Sequence, residues 1–194
     1  LNALQEVIQP EGDVNFADLL ERIKSISESL SVPLIVKEVG CGMSAKVADK
    51  LLDAGVKAID VGGYGGTSWN RIEGFRAEGE KREISEIFDG WGIPTAYSLL
   101  ELRGKDCPKI AAGGIRDGIE AAKSIALGAD LVGIALPLLK ALDDNGEDGV
   151  YDYLHQLADE LKIAMLLTGA GTIGELGKVD YKILGKAREW INQS

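Results

Sequence analysis

Asp60-Val61-Gly62-Gly63-Tyr64-Gly65-Gly66-Thr67-Ser68-Trp69 is the stretch around which this chain is organised. It continues an apolar run through Ala58 and Ile59, so it reads as the end of a buried strand passing into glycines, two hydroxyls and an indole. Glycines gather where backbone takes positive φ or comes close to another group, and a bare hairpin needs fewer than are present here. Two further glycine-rich turns, spanning 38–42 and 112–118, also follow apolar runs directly. Three loops of this kind, each leaving a strand on the way to a helix, predict one shared rim that holds a ligand.

Strands and helices alternate outward from that centre. Residues 32–39 (VPLIVKEV), 57–61 (KAIDV), 108–112 (PKIAA) and 130–135 (DLVGIA) read as strands that are short, apolar and bounded by glycine. Between them lie helical patterns. Phe16, Leu19, Leu20, Ile23 and Ile26 recur at helical spacing over 16–30, with Asn15 as the expected N-cap. Helices are also predicted over 44–54, 95–103, 117–127, 136–142 and 149–167, with a helical tail near Trp190. This alternation is the pattern of βα units in a parallel sheet. With about four strands at barrel spacing and glycine turns at their C-terminal ends, the expected fold is α/β, a (β/α)8 barrel of which this chain supplies about half. A four-strand flavodoxin-like sheet is the alternative.

Two segments fall outside the repeat. Residues 1–13 show no clean period and end in Pro10 and Gly12, which predicts a loop leaving a strand, or a frayed end. Residues 69–90 carry many charges, Arg71, Glu73, Arg76 and Glu80 among them, and read as a long insertion with a solvated face, of the kind used as a lid or binding segment.

Bulk composition narrows the function. Lys plus Arg number 21 against 31 Asp plus Glu, a net charge of −10, which argues against a nucleic-acid or anionic-membrane surface. No apolar run approaches the ~20 residues of a membrane span, and no signal peptide is visible. Two cysteines, Cys41 and Cys107, are too few for a disulfide framework and match no zinc spacing. A reducing cytoplasm fits best. The first residue is Leu rather than Met, inside a motif-like stretch, which reads as a fragment or a processed product.

The turns suggest what the ligand carries. Gly113-Gly114-Ile115-Arg116 opens a helix, where N–H groups and the helix dipole favour a phosphate. Ala135-Leu136 begins the next helix in the matching place, after the following strand. Lys37, inside an apolar strand, suits a partner for an electron-rich ring or a phosphate, or else a salt bridge at a sheet edge. Thr67 and Ser68 can donate hydroxyl hydrogen bonds, and Glu6 beside Gln5 offers oxygen ligation suited to Mg²⁺. His155, the single histidine, lies mid-helix and reads as a surface residue. No nucleophile–base pair is evident, so the chemistry is expected to come from a cofactor.

Taken together, LNALQE (1–6) with QPEGD (9–13), VKEVG (36–40), GGTSW (65–69), WGIPTA (91–96), and AAGGIRDG (111–118) followed by AKSIALGAD (122–130) resemble the type 2 isopentenyl-diphosphate isomerase family. The resemblance runs in order from residue 1 to about 170. It implies that residues 1–194 form the C-terminal part of a single FMN-binding (β/α)8 barrel domain. The implied reaction interconverts isopentenyl and dimethylallyl diphosphate by a proton shift, with reduced FMN, Mg²⁺ and NADPH as reductant, in a homo-oligomer (tetramer or octamer) of the full-length chain. By position, Gln5 would contact the substrate and Glu6 would bind Mg²⁺. Lys37, Gly62, Thr67, Gly114, Ile115, Arg116, Ala135 and Leu136 would hold FMN. Gly62 and Tyr64 depart from the family pattern, which implies a lost flavin contact and a narrowed site. The half barrel alone is expected to be inactive. Two other readings stand beside this one. One is another FMN barrel, a 2-hydroxyacid oxidase or an inosine-monophosphate-dehydrogenase-like enzyme, with Cys41 as its only candidate reactive residue. The other is a non-catalytic flavin- or phosphate-binding half barrel.

Overall fold

The computed structural model describes residues 2–191. In chain order its elements are α1 (Ala3–Ile8), α2 (Leu19–Ser29), β1 (Ile35–Lys37), α3 (Ala45–Asp53), β2 (Ala58–Asp60), α4 (Trp69–Arg76), α5 (Glu80–Ile87), α6 (Thr95–Glu101), β3 (Lys109–Ala112), α7 (Gly118–Ala126), β4 (Leu131–Gly133), α8 (Leu136–Thr168), α9 (Ile173–Leu176) and α10 (Lys186–Ile191). The four strands form one parallel sheet in the order β1-β2-β3-β4, with Lys37 opposite Asp60, Asp60 opposite Ile110, and Ile110 opposite Leu131. Every connection is a helical crossover, as parallel pairing requires.

Strand residues alternate between two faces. Ile59, Val61 and Ala111 join Leu51, Leu99, Leu102 and Ala121 in the main core, with Val36, Val132 and Ile134 packed against it. Ile59, Leu99 and Leu102 are fully buried, and each is worth about 1.5–3 kcal/mol in transfer from water. The opposite face carries Ile35, Lys37, Asp60, Ile110 and Leu131. There the two edge strands leave Ile35 52% and Leu131 62% exposed. A second cluster, with Ile125, Ala164, Ala170 and Leu176, joins α7, α8 and α9.

Local sequence explains most boundaries. Ser44 caps α3 by accepting from Val47 N–H, and Asp117 caps α7 by accepting from Glu120 N–H at 2.7 Å. α8 joins the two helices expected over 136–142 and 149–167 and breaks at Gly146, whose φ of 66 departs from helical values. α10 is tied to α6, with Trp190 Nε1 donating to Glu101 Oε1 at 3.2 Å.

Four expectations are corrected. Residues 3–8 form a helix instead of a loop, because Asn2 Oδ1 accepts from Gln5 N–H and Ile8 finds a fully buried seat. Helix α2 starts at Leu19 and not Phe16, since Asn15 spends its Oδ1 on Ala17 N–H and Asp18 sits at φ 57 before the helix begins. The strand expected over 32–39 is hydrogen-bonded as sheet only over Ile35–Lys37. Residues 69–90 are two helices, α4 and α5, packed on each other and on α1. They were unreadable by apolar periodicity because the side chains they bury are Asn70, Glu73 and Ser85.

Candidate functional site

The loops leaving β1, β2 and β3 meet at the C-terminal end of the sheet. Gly40 and Gly42 donate N–H groups to the Gly62 carbonyl at 2.8 and 3.2 Å, and Gly63 N–H donates to Ala112 O at 2.7 Å. Gly62 takes φ 42 and Gly113 φ 106. A Cβ on Gly62 would overlap the Glu38 carbonyl, and one on Gly113 would overlap that of Gly63. Thr95 Oγ1 closes the same seam, donating to Ala112 O and Gly113 O at 3.1 and 2.6 Å. The glycines therefore allow backbone to approach, as expected, but what approaches is the neighbouring loop. The shared rim is a mutual packing of three turns.

Carboxylates fill part of this rim. Glu38 Oε2 accepts from the N–H groups of Val39, Gly40 and Cys41 at 2.7, 3.1 and 2.8 Å, closing the β1 loop around itself. Asp60 is 7% exposed on the inner face. It accepts from Lys37 Nζ at 3.0 Å and from Gly62 N–H at 3.0 Å. Lys37 thus points inward from an edge strand, with a buried carboxylate as partner and its own side chain 54% exposed. Neither Glu38 nor Asp60 was singled out from sequence for a site, although a carboxylate inside KAIDV was the available signal.

The turn after β3 holds Gly114, Ile115 and Arg116. Arg116 folds back over the rim, donating to Gly114 O at 2.6 Å and to Gly65 O at 2.8 Å. Its N–H donates to Glu120 Oε2 at 2.8 Å, and Tyr153 OH donates to its carbonyl. Burial, then the nearby Glu160, Asp117 and Glu120 charges, pushes the Tyr153 phenol above its ordinary range. The start of α7 is correspondingly occupied: Gly118 N–H donates to Glu160 and Glu120 N–H to Asp117, each at 2.7 Å. The start of α8 differs. Its N-cap is Ala135, and no side chain caps it; Pro137 has no N–H to offer, so the uncapped donors of its first turn are the N–H groups of Leu136 and Leu138.

Helix α1 carries Gln5 and Glu6. Its N-cap Asn2 is buried and also bonds the Cys41 thiol, with Nδ2 to Sγ at 3.5 Å. Glu6 Oε2 accepts from Gln9 Nε2 at 2.7 Å and from Asp13 N–H at 3.0 Å. Among the described residues no group of three or more His, Cys, Asp and Glu is placed to hold a metal, so Glu6 offers a single carboxylate. Burial, reinforced by the Glu38 charge, raises the Cys41 thiol above its ordinary value, with the Asn2 hydrogen bond acting the other way. A thiol held protonated is a poor nucleophile.

The remaining expectations have mixed outcomes, with His155 at the surface as expected. Thr67 is half-buried in the β2 loop beside Gly40, whereas Ser68 spends its hydroxyl as the N-cap of α4, accepting from Arg71 N–H at 3.3 Å. Tyr64 leans toward the turn at Gly90 and Gly92. His155 is exposed on α8, its ring 4.1 Å from that of Tyr151. Glu73, expected on a solvated face, is 4% exposed and paired with Arg76 at 2.7 Å. Asn70, 3% exposed beside it, exchanges hydrogen bonds with Ser85 across α4 and α5.

A family model described as FMN-dependent dehydrogenase matches residues 9–182. The chain belongs to this family. Proteins named isopentenyl-diphosphate delta-isomerase from Pyrococcus horikoshii and Halobacterium salinarum are each 47% identical over the whole of this chain. One from Methanothermobacter thermautotrophicus is 48% identical. The chain spans about half the length of these curated relatives, 53% to 55%. Among solved structures, a mandelate oxidase with (S)-mandelic acid superposes with a TM-score of 0.62 at 25% identity, over 86% of this chain and 44% of that one. The fold is accordingly that of the family's (β/α)8 barrel, of which the present chain supplies four consecutive βα units.

Proposed function

We propose that these residues are the C-terminal part of a single FMN-binding barrel domain that interconverts isopentenyl and dimethylallyl diphosphate by a proton shift. The observation that carries this reading is the 47% identity to isomerases of that name over the entire chain, and the geometry is compatible with it. The uncapped start of α8 and the backbone of Gly114 and Ile115 suit a phosphate. In the proposal, FMN is held there by Gly114, Ile115, Arg116, Ala135 and Leu136. Lys37 faces the ring with Asp60 fixing its position, and Gly62 and Thr67 line the same site. Bound FMN, once reduced by NADPH, would supply the acid–base chemistry that the rim's own side chains do not offer.

Gln5 on α1 would orient the diphosphate substrate, and Glu6 would give one carboxylate to a Mg²⁺ otherwise held by substrate oxygens and water, the arrangement usual for that ion. Asn2 keeps both on one capped turn. The hydroxyacid-oxidase reading has less support: Cys41 is held protonated and His155 lies on the outside of α8. A cytoplasmic homo-oligomer, tetramer or octamer, completes the proposal. Among the described residues no helix is long and apolar enough to cross a membrane.

The test joins this chain to the preceding half of one of the relatives and titrates the product with FMN. Saturable binding, with conversion of isopentenyl diphosphate after reduction and addition of Mg²⁺, is the expected result. A completed barrel that binds no flavin would make the glycine rim purely structural and end the proposal.

A further inference from the structure

The proposed phosphate cradle is already engaged by the chain's own carboxylates, and they are not equivalent. Asp117 caps α7 through Glu120 N–H. Glu160 is fixed twice, by Gly118 N–H at 2.7 Å and by Gln156 Nε2 at 2.8 Å. Glu120 is different: both of its oxygens turn to Arg116, Oε2 to the backbone N–H at 2.8 Å and Oε1 to the guanidinium at 3.6 Å. Its side chain is 37% exposed, so it can swing into solvent without disturbing the core. The Arg116 side chain keeps its place independently, through the Gly114 and Gly65 carbonyls.

We infer that Glu120 acts as an internal stand-in for the phosphate. In the ligand-free chain it holds the Arg116 N–H in a phosphate-receiving geometry, and it gives up that bond when a phosphate monoester enters. It thereby sets the affinity for the phosphorylated flavin by competition. The inference rests on the FMN reading above and adds to it a residue that determines how tightly the phosphate is taken. Two negative groups cannot share one N–H and one guanidinium without repulsion, so departure of Glu120 is part of the cost of binding. A neutral side chain at this position removes both the competitor and the repulsion. It forfeits only the modest benefit of an acid in the first turn of α7.

The experiment titrates FMN and riboflavin, which lacks the phosphate, into the flavin-free completed barrel of the preceding test and follows flavin fluorescence for wild type, Glu120→Gln and Glu120→Ala. FMN is expected to bind about 3- to 10-fold tighter to both variants, an increment of up to about one decade in Kd, with riboflavin binding unchanged. If wild type takes up FMN and the variants bind it no tighter, or riboflavin shifts equally, Glu120 does not compete and the inference is overturned while the FMN reading stands. If no form takes up FMN, the cofactor reading falls and the inference falls with it.

Discussion

The two faces of the four-stranded sheet differ more than any other pair of regions in the molecule. Toward the helices, Ile59, Val61 and Ala111 are fully buried among side chains from α3, α6 and α7. On the other face, Ile35 and Leu131 stand more than half exposed at the two edges, and an ion pair joins Lys37 of the edge strand β1 to Asp60 of β2. The same strands, read at alternate residues, are a finished core on one side and an open barrel interior on the other. A parallel sheet is normally covered on both faces. The open face is therefore where a longer barrel of the kind formed by the family has its filling of side chains.

Three alanine substitutions, with one rescue variant, measure this contrast by urea denaturation. The largest effect is expected for Ile59→Ala on the helix-facing side, a loss of about 2–5 kcal/mol, because a fully buried branched side chain leaves a cavity. An equal loss for Ile59→Ala and Leu131→Ala would show that the two faces are equally packed in solution. Asp60→Ala should cost about 1–3 kcal/mol, mainly because the buried Gly62 N–H loses its acceptor. The ion pair itself adds little, since Lys37 is more than half exposed. Rescue by Asp60→Asn, which keeps an acceptor and removes the charge, would sharpen that assignment. Leu131→Ala should fall within about 0.5 kcal/mol of wild type in this chain. In a protein with the barrel completed the same change should approach the cost of a core substitution, and failure to rise would mean that the inner face stays open.

Much of this fold was legible. The strand–helix alternation is local: each strand is a short apolar run ended by glycine, and each of the helices over 45–53 and 118–126 begins with a side-chain cap visible in sequence. The rim was legible too, because glycine clusters after strands admit few explanations. What escaped was everything built from polar burial. Helices α4 and α5 hide Asn70, Glu73 and Ser85 against each other, so their inward face carries none of the apolar period that marks a helix from sequence. Helix α1 is too short to show a period at all, and depends on the Asn2 cap, on the burial of Ile8 and on packing of the helix against α4 and α5.

The sequence by itself determined the order of βα units, the location of the turns and the family, because these depend on residues close together along the chain. Only the tertiary structure decided which carboxylate answers which donor. Asp60 meets Lys37 across 23 residues, Glu160 reaches Gly118 across 42, and Arg116 crosses 51 to the Gly65 carbonyl. An Asp or Glu reads as a solvated charge unless, like Asp60, it sits inside an apolar run, and even there its neighbours do not say which donor it meets. Folding brings it beside a backbone N–H with no other partner, and the cost of leaving that donor unsatisfied selects the pairing.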